Sequence, residues 1–185
     1  PGQPLCGVCR GRLPEIPRPR CPRCGGPRTS PRDDDSCALC DPWPDVLRGA
    51  ASAVLHAPPA DALVAGLKYR GWTALVPLLA GSMLEPARRL ARRGGGEPRP
   101  AAAPMLAPVP LDPARARRRG FNQSALLAAE LSRRTGWPLL AQGLARRRSS
   151  RRQAQLGRAE RFANVMAAFY WEPGVPAPAA PILLV

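Results

Sequence analysis

Apolar positions run along this chain in short bursts broken by proline, glycine and arginine. Residues 61–69 predict a helix: Asp61 can cap it, and Leu63, Leu67 and the apolar stem of Lys68 lie near one face. A second helical run, over 72–93, places Leu75, Leu78, Leu79, Met83 and Leu90 at mixed three- and four-residue spacings. Pro77 and Pro86 lie inside it and demand a late start, a kink or a break. Residues 121–135 predict a third helix, with Leu126, Leu127 and Leu131 facing the core and Gly136 as its stop. Strands are expected at 50–57, 105–109, 139–144, 167–171 and 182–185. A Gly/Pro/Ala loop falls at 93–104 and a basic loop at 146–158, with a short helix at 159–164. Strands alternating with helices mean an α/β fold with a mainly parallel sheet.

The first 45 residues follow no such rhythm. All six cysteines sit there as three Cys-x-x-Cys pairs: Cys6/Cys9, Cys21/Cys24 and Cys37/Cys40, with 11 and then 12 residues between pairs. Such a turn points two thiolates at one centre, and two turns complete a tetrahedral Zn2+ site. Glycine after Cys24 suits a knuckle whose backbone takes a positive φ. A disulfide framework is the competing reading, disfavoured by a Cys-free remainder and no secretory signal. A redox pair would need a βαβ setting that this segment lacks. Three pairs make one and a half sites. The expected site is Cys21, Cys24, Cys37 and Cys40, with Cys6 and Cys9 awaiting a pair upstream of Pro1; the rival set is Cys6, Cys9, Cys21 and Cys24. The metal is expected to be structural, holding a Pro-rich segment too small to hold itself.

Composition narrows the rest. The 185 residues allow one ordinary domain plus a small module, here 1–45 as a zinc ribbon and 46–185 as the main domain. With 45% apolar residues the chain is not disordered, and no run approaches a membrane span, so membrane insertion is not expected and a cytoplasmic location is. The charge of +15 comes from 27 arginines and the single Lys68 against 13 acids, a bias that fits a GC-rich genome. Its distribution says more. Residues 110–170 carry 13 arginines against 3 acids, so the positive field belongs to loops of the main domain, where parallel sheets bind anions. His56 reads as a core or edge residue, Asp33-Asp34-Asp35 as a solvated loop, and Trp43 and Trp171 as packing residues.

Two segments carry candidate chemistry. After the strand end at Pro108-Val109-Pro110 comes Arg117-Arg118-Arg119-Gly120-Phe121-Asn122-Gln123. Gly120 lets backbone approach a ligand, Asn122, Gln123 and Ser124 can cap a helix, and arginines beside a helix N-terminus can cradle phosphate. A solvated basic loop beside an ordinary capped helix explains the same residues equally well. The second segment is Arg146-x-Arg148-x-Ser150-x-x-Gln153-x-x-Leu156, followed by Arg161-x-x-Asn164-Val165 and Phe169. It could close over a phosphorylated substrate, though such a stretch is more often a surface loop.

Together with Leu67-Lys68-Tyr69-Arg70-Gly71 and the serial Cys pairs, these motifs resemble the ComF family of competence-associated, phosphoribosyltransferase-type proteins, in order and spacing over nearly the whole chain. Ser150 stands where the family more usually has Thr. The resemblance implies a double zinc ribbon joined to a type I phosphoribosyltransferase-like parallel sheet with helices. It also implies that the chain is a piece, ending at 182–185 just before an acidic pair and a Thr-Thr-Gly loop that would bind the ribose 5-phosphate. On that reading catalytic residues lie beyond Val185, and this chain alone would be inactive. The implied ligand is phosphoribosyl pyrophosphate with Mg2+. Arg118, Arg119, Gly120, Asn122 and Gln123 would bind phosphate, joined by Lys68 and Arg70. Arg148, Ser150 and Gln153 would belong to a flap excluding water. The resemblance further implies a link to DNA uptake in natural competence. The alternative function is therefore single-stranded DNA binding, with Phe121, Tyr69 and Trp137 as stacking candidates more readily explained by core packing. A protein adaptor docking a competence helicase is the third.

Overall fold

The computed structural model describes residues 5–28, 37–92, 103–140, 142–147 and 168–185. Most of the expected loop at 93–104 (residues 93–102), the body of the basic loop and the helix at 159–164 fall outside the described residues. The chain divides into two compact units, Pro1–Pro98 and Arg99–Val185.

In the first unit a single turn of helix, α1 (Gly7–Gly11), follows Cys6. The segment 19–28 then folds back on itself. Arg20 bridges Pro27, the Cys21 N–H donates to the Gly26 carbonyl (2.8 Å), and Gly25 takes the left-handed φ of 71° that the knuckle requires. Helix α2 (Ala60–Arg70) buries Leu63 and Leu67 and stops at Gly71, also left-handed. Asp61 does not cap it from outside. It sits one residue inside, where its carboxylate accepts from the Ala62 N–H (2.6 Å) and lies at the positive end of the helix. A 3-10 turn (Thr73–Leu75) leads into α3 (Val76–Arg92). The late start matches Pro77, tolerated in a first turn whose N–H groups are free, and Pro86 is accommodated inside the helix. Leu75 of the turn is buried, as are Val76, Ala80 and Ala87 of the helix.

No strand forms at 50–57. That segment is irregular, and two of its N–H groups are taken by loop carbonyls: Ala50 donates to Arg23 (2.9 Å) and Leu55 to Pro14 (3.0 Å). His56 is exposed, so it is not a core residue.

The second unit is built on β1 (Met105–Ala107), whose Leu106 and Ala107 are completely enclosed. On one side β1 pairs in parallel with β4 (Ile182–Leu184), Leu106 facing Leu183. On the other, Leu106 exchanges hydrogen bonds with Pro138 and Leu140 through a parallel bridge to Leu139. The chain between, from β1 to Leu139, carries two helices: α4 (Pro113–Arg119) and α5 (Gln123–Thr135). Ala128 and Leu131 of α5 and Trp137 close the core over β1, while Leu126 and Leu127 are half-buried.

The expected strand at 139–144 divides into two pieces. Leu139 joins the parallel layer, and β2 (Leu144–Arg146) forms an antiparallel pair with β3 (Phe169–Trp171), Leu144 facing Trp171. Between them Gly143 is left-handed, and the Trp171 ring lies over it so closely that a Cβ would sit 2.4 Å from Cζ2. The protein thus mixes helix and strand around a small parallel layer, with an antiparallel pair the periodicity does not announce.

Candidate metal centre and phosphate-binding segment

Cys21, Cys24, Cys37 and Cys40 bring their four sulfurs within 4.8 Å of one another. Cys21 and Cys40 stand 3.8 Å apart, as do Cys24 and Cys37. A tetrahedron of sulfurs about 2.3 Å from a central ion has edges of about 3.8 Å, whereas a disulfide needs about 2.05 Å. The cluster therefore fits a structural metal ion such as zinc, and all six cysteines are free thiols. Burial pushes the Cys21 thiol up, but the N–H groups of Cys24 and Arg23 aimed at it bring it down to about 7. Cys40, buried among the other sulfurs, is pushed up to about 12. Cysteines bind a metal ion as thiolates, so loading this centre would release protons. Cys6 and Cys9 are exposed and stand apart from this group; the Cys9 N–H donates to the Cys6 sulfur at 3.5 Å.

Two residues that the sequence reading passed over hold the centre. Arg23 lies between Cys21 and Cys24 and donates to the carbonyls of Cys40 (3.2 Å), Trp43 (3.4 Å), Pro44 (3.5 Å) and Leu47 (3.2 Å), with Trp43 5.8 Å beneath it. It ties the segment after the second ligand pair to the first, and its cation offsets the excess negative charge of four thiolates on a divalent ion. The Asp41 carboxylate accepts from the Cys37 N–H through both oxygens (2.7 and 2.8 Å). Only their places beside the ligands could have flagged them.

The segment 112–124 differs from the expected loop. Asp112 is buried and caps α4, accepting from Ala114 (3.0 Å) and Arg115 (3.3 Å), with Pro113 opening the helix. Arg117, Arg118 and Arg119 form its last turn, where cations meet the negative end of the helix. Gly120 closes it at φ 78°, with open space where a Cβ would stand. The glycine is thus needed for its backbone angle. Asn122 caps α5: its Oδ1 accepts from the Ser124 N–H (3.0 Å) while its Nδ2 donates to the Val109 carbonyl (3.1 Å). That pair of bonds pins the start of α5 to the chain leaving β1. Arg119 donates through Nη1 to Gln123 Oε1. Arg117 and Arg118 project into solvent. The structure therefore gathers Arg118, Arg119, Gly120, Asn122 and Gln123 at one helix-to-helix corner, and Asn122 positions that corner.

Lys68 and Arg70 belong to the first unit, at the end of α2. Arg148, Ser150 and Gln153 lie outside the described residues. Arg146, which opens that arginine series, is on β2 with its guanidinium 5.1 Å from the Phe169 ring centroid, and its Nε and Nη2 are buried with no hydrogen-bond partner among the described residues. Of the aromatic candidates, Trp137 is buried as packing predicts, Phe121 is half-buried and Tyr69 is exposed. No helix among the described residues is long and apolar enough to cross a membrane.

No family model matches the chain, and no solved structure matches it. Curated proteins do. DNA utilization protein YhgH of Salmonella typhi is 32% identical over 168 residues, covering 91% of this chain and 71% of that protein. The proteins of the same name from Escherichia coli (strain K12) and Shigella flexneri are 30% identical over the same span. Identity at that level over most of both chains makes this protein a member of the family of DNA utilization protein YhgH.

Proposed function

We propose that the protein is a ComF-type, phosphoribosyltransferase-like protein that binds phosphoribosyl pyrophosphate, carries structural zinc and serves DNA uptake. The relatives' name supports the link to DNA. The observation that carries the phosphate reading is the corner at 117–123: Asn122 locks it to the end of a buried parallel strand, and exposed arginines stand beside the N-terminus of α5. A fixed corner of this kind presents N–H groups and guanidinium donors to a polyanion with little ordering cost. Arg118 and Arg119 bind the pyrophosphate group, the backbone from Gly120 to Gln123 approaches it, and Mg2+ enters with the ligand as its counter-ion. Lys68 and Arg70 are a second phosphate-binding pair. The Cys21, Cys24, Cys37 and Cys40 centre holds zinc and keeps the first 45 residues folded.

Calorimetric titration with phosphoribosyl pyrophosphate and Mg2+ tests this reading. Arg118→Ala removes an exposed side chain and should weaken binding about tenfold, the worth of one charge-assisted bond to phosphate. Undiminished affinity in both Arg118→Ala and Arg119→Ala would remove the corner from consideration.

A further inference from the structure

We infer that Arg146 is the receptor for a small monocarboxylate, held on one edge of its guanidinium at the β2–β3 pair. The edge follows from the register. Arg146 faces Phe169 across the antiparallel pair, and its guanidinium lies 5.1 Å from that ring's centroid. A cation–π contact uses the charge of the group but satisfies none of its N–H donors. Nε and Nη2 are both buried, and neither has a hydrogen-bond partner among the described residues. The planar geometry of the guanidinium makes these two N–H bonds point the same way, so together they form one bidentate fork. Two unrelated orphan atoms would signal imperfect packing. Both donors of one fork instead define the shape of the partner they lack, an anion with two coplanar oxygens.

The described residues do not supply that anion. The second unit has three described acids, and each is held elsewhere. Asp112 caps α4, Glu130 pairs with Arg133 and Arg134, and the Glu172 carboxylate accepts from the Gly143 N–H at 3.0 Å. A buried cationic edge without a counter-charge is costly, so an anion from solution gains by pairing with it. Charge then selects the anion. The neighbouring Arg147 lies over Tyr170, 5.3 Å from the ring centroid, on the opposite face of the pair. One guanidinium therefore serves the fork, and it balances a monoanion. A phosphate group carries about 1.5 to 2 negative charges at neutral pH and would stay partly uncompensated. A carboxylate matches the fork in both charge and shape. Arg146 as a whole is half-buried, which places the fork near the surface. The site shares no residue with the corner between α4 and α5, and neither reading depends on the other.

Titration of the intact 15N-labelled chain with sodium benzoate, and separately with inorganic phosphate at the same ionic strength, tests the site. The Arg146 Nε–H signal is assigned by its loss in Arg146→Lys. Benzoate should move that signal downfield to saturation, and the amide signals of 144–146 and 169–171 should follow with the same midpoint. Arg146→Lys keeps the charge without the fork, so these amides should then titrate about tenfold more weakly in a variant whose circular dichroism is unchanged. The wild-type titration needs no variant, and an Nε–H signal that benzoate does not move would overturn the proposal. Phosphate binding as tightly as benzoate would overturn it as well. So would an Nε–H signal displaced by Glu160→Gln, the one acid of this unit outside the described residues, because the chain would then provide the anion itself.

Discussion

Replacing Asn122 removes two hydrogen bonds with different jobs, and two substitutions separate them. Asn122→Ala loses the cap on Ser124 and the donation to the Val109 carbonyl together. The cap is worth about 1 kcal/mol, and the second bond, in a half-buried setting, about 1 kcal/mol more. The expected loss is therefore about 2 kcal/mol. Asn122→Asp keeps an acceptor for Ser124 and places a charge favourably at the N-terminus of α5, a gain of about 0.5 kcal/mol. It cannot donate to Val109, and it sets a carboxylate against that carbonyl, at a cost of about 1–2 kcal/mol. Urea denaturation should rank wild type first, Asp second and Ala last. The ranking for phosphoribosyl pyrophosphate should invert the last two, because the aspartate repels the ligand. Alanine within 0.5 kcal/mol of wild type, or an aspartate variant more stable than wild type, would refute the view that Asn122 pins the corner.

Three further outcomes are expected. Cys37→Ser with Cys40→Ser should abolish zinc binding and unfold the first module, whereas Cys6→Ser with Cys9→Ser should retain the metal; zinc quantification after gel filtration checks this. Gly66→Ala gains about 1 kcal/mol of helix propensity but drives a Cβ into Trp72, costing about 1–3 kcal/mol, so thermal melts should show net destabilisation with a red-shifted tryptophan emission as the indole swings out. Hydrogen bonds from Arg133 and then Arg134 hold the Glu130 carboxyl down to about 2 against an ordinary 4.5. Its contribution is present above 4.5 and disappears as pH falls through about 2. Because Arg133 is exposed, screening limits it to about 1 kcal/mol, so the stability gap between wild type and Glu130→Gln should close between pH 5 and pH 2.

What the sequence made legible was what local chemistry dictates. Asn122 and Gly136 bracket α5, Pro77 delays α3, and of the two ligand sets the Cys spacings allow, the expected Cys21, Cys24, Cys37 and Cys40 converge. Helix α4 escaped notice because alternating alanine and arginine give it no apolar stripe, and none of its residues is buried. Its true signals were Asp112 as cap and Pro113 as first residue. The strand expected at 50–57 failed for the opposite reason: Val54-Leu55 has strand composition, but loop carbonyls take the N–H groups of Ala50 and Leu55. The pairing of β2 with β3 joins residues 27 apart at Leu144 and Trp171, and no local pattern encodes such a choice. Arg23 and Asp41 act through carbonyl and N–H groups placed by the knuckles, which residue type alone does not reveal.

The central claim is that the corner between α4 and α5 receives phosphoribosyl pyrophosphate, and amide chemical shifts test it most directly. In a titration of the 15N-labelled protein with the ligand and Mg2+, the largest saturable shifts should fall on the backbone from Arg119 to Ser124. Absence of shifts in that segment at ligand concentrations that saturate binding elsewhere would contradict the account.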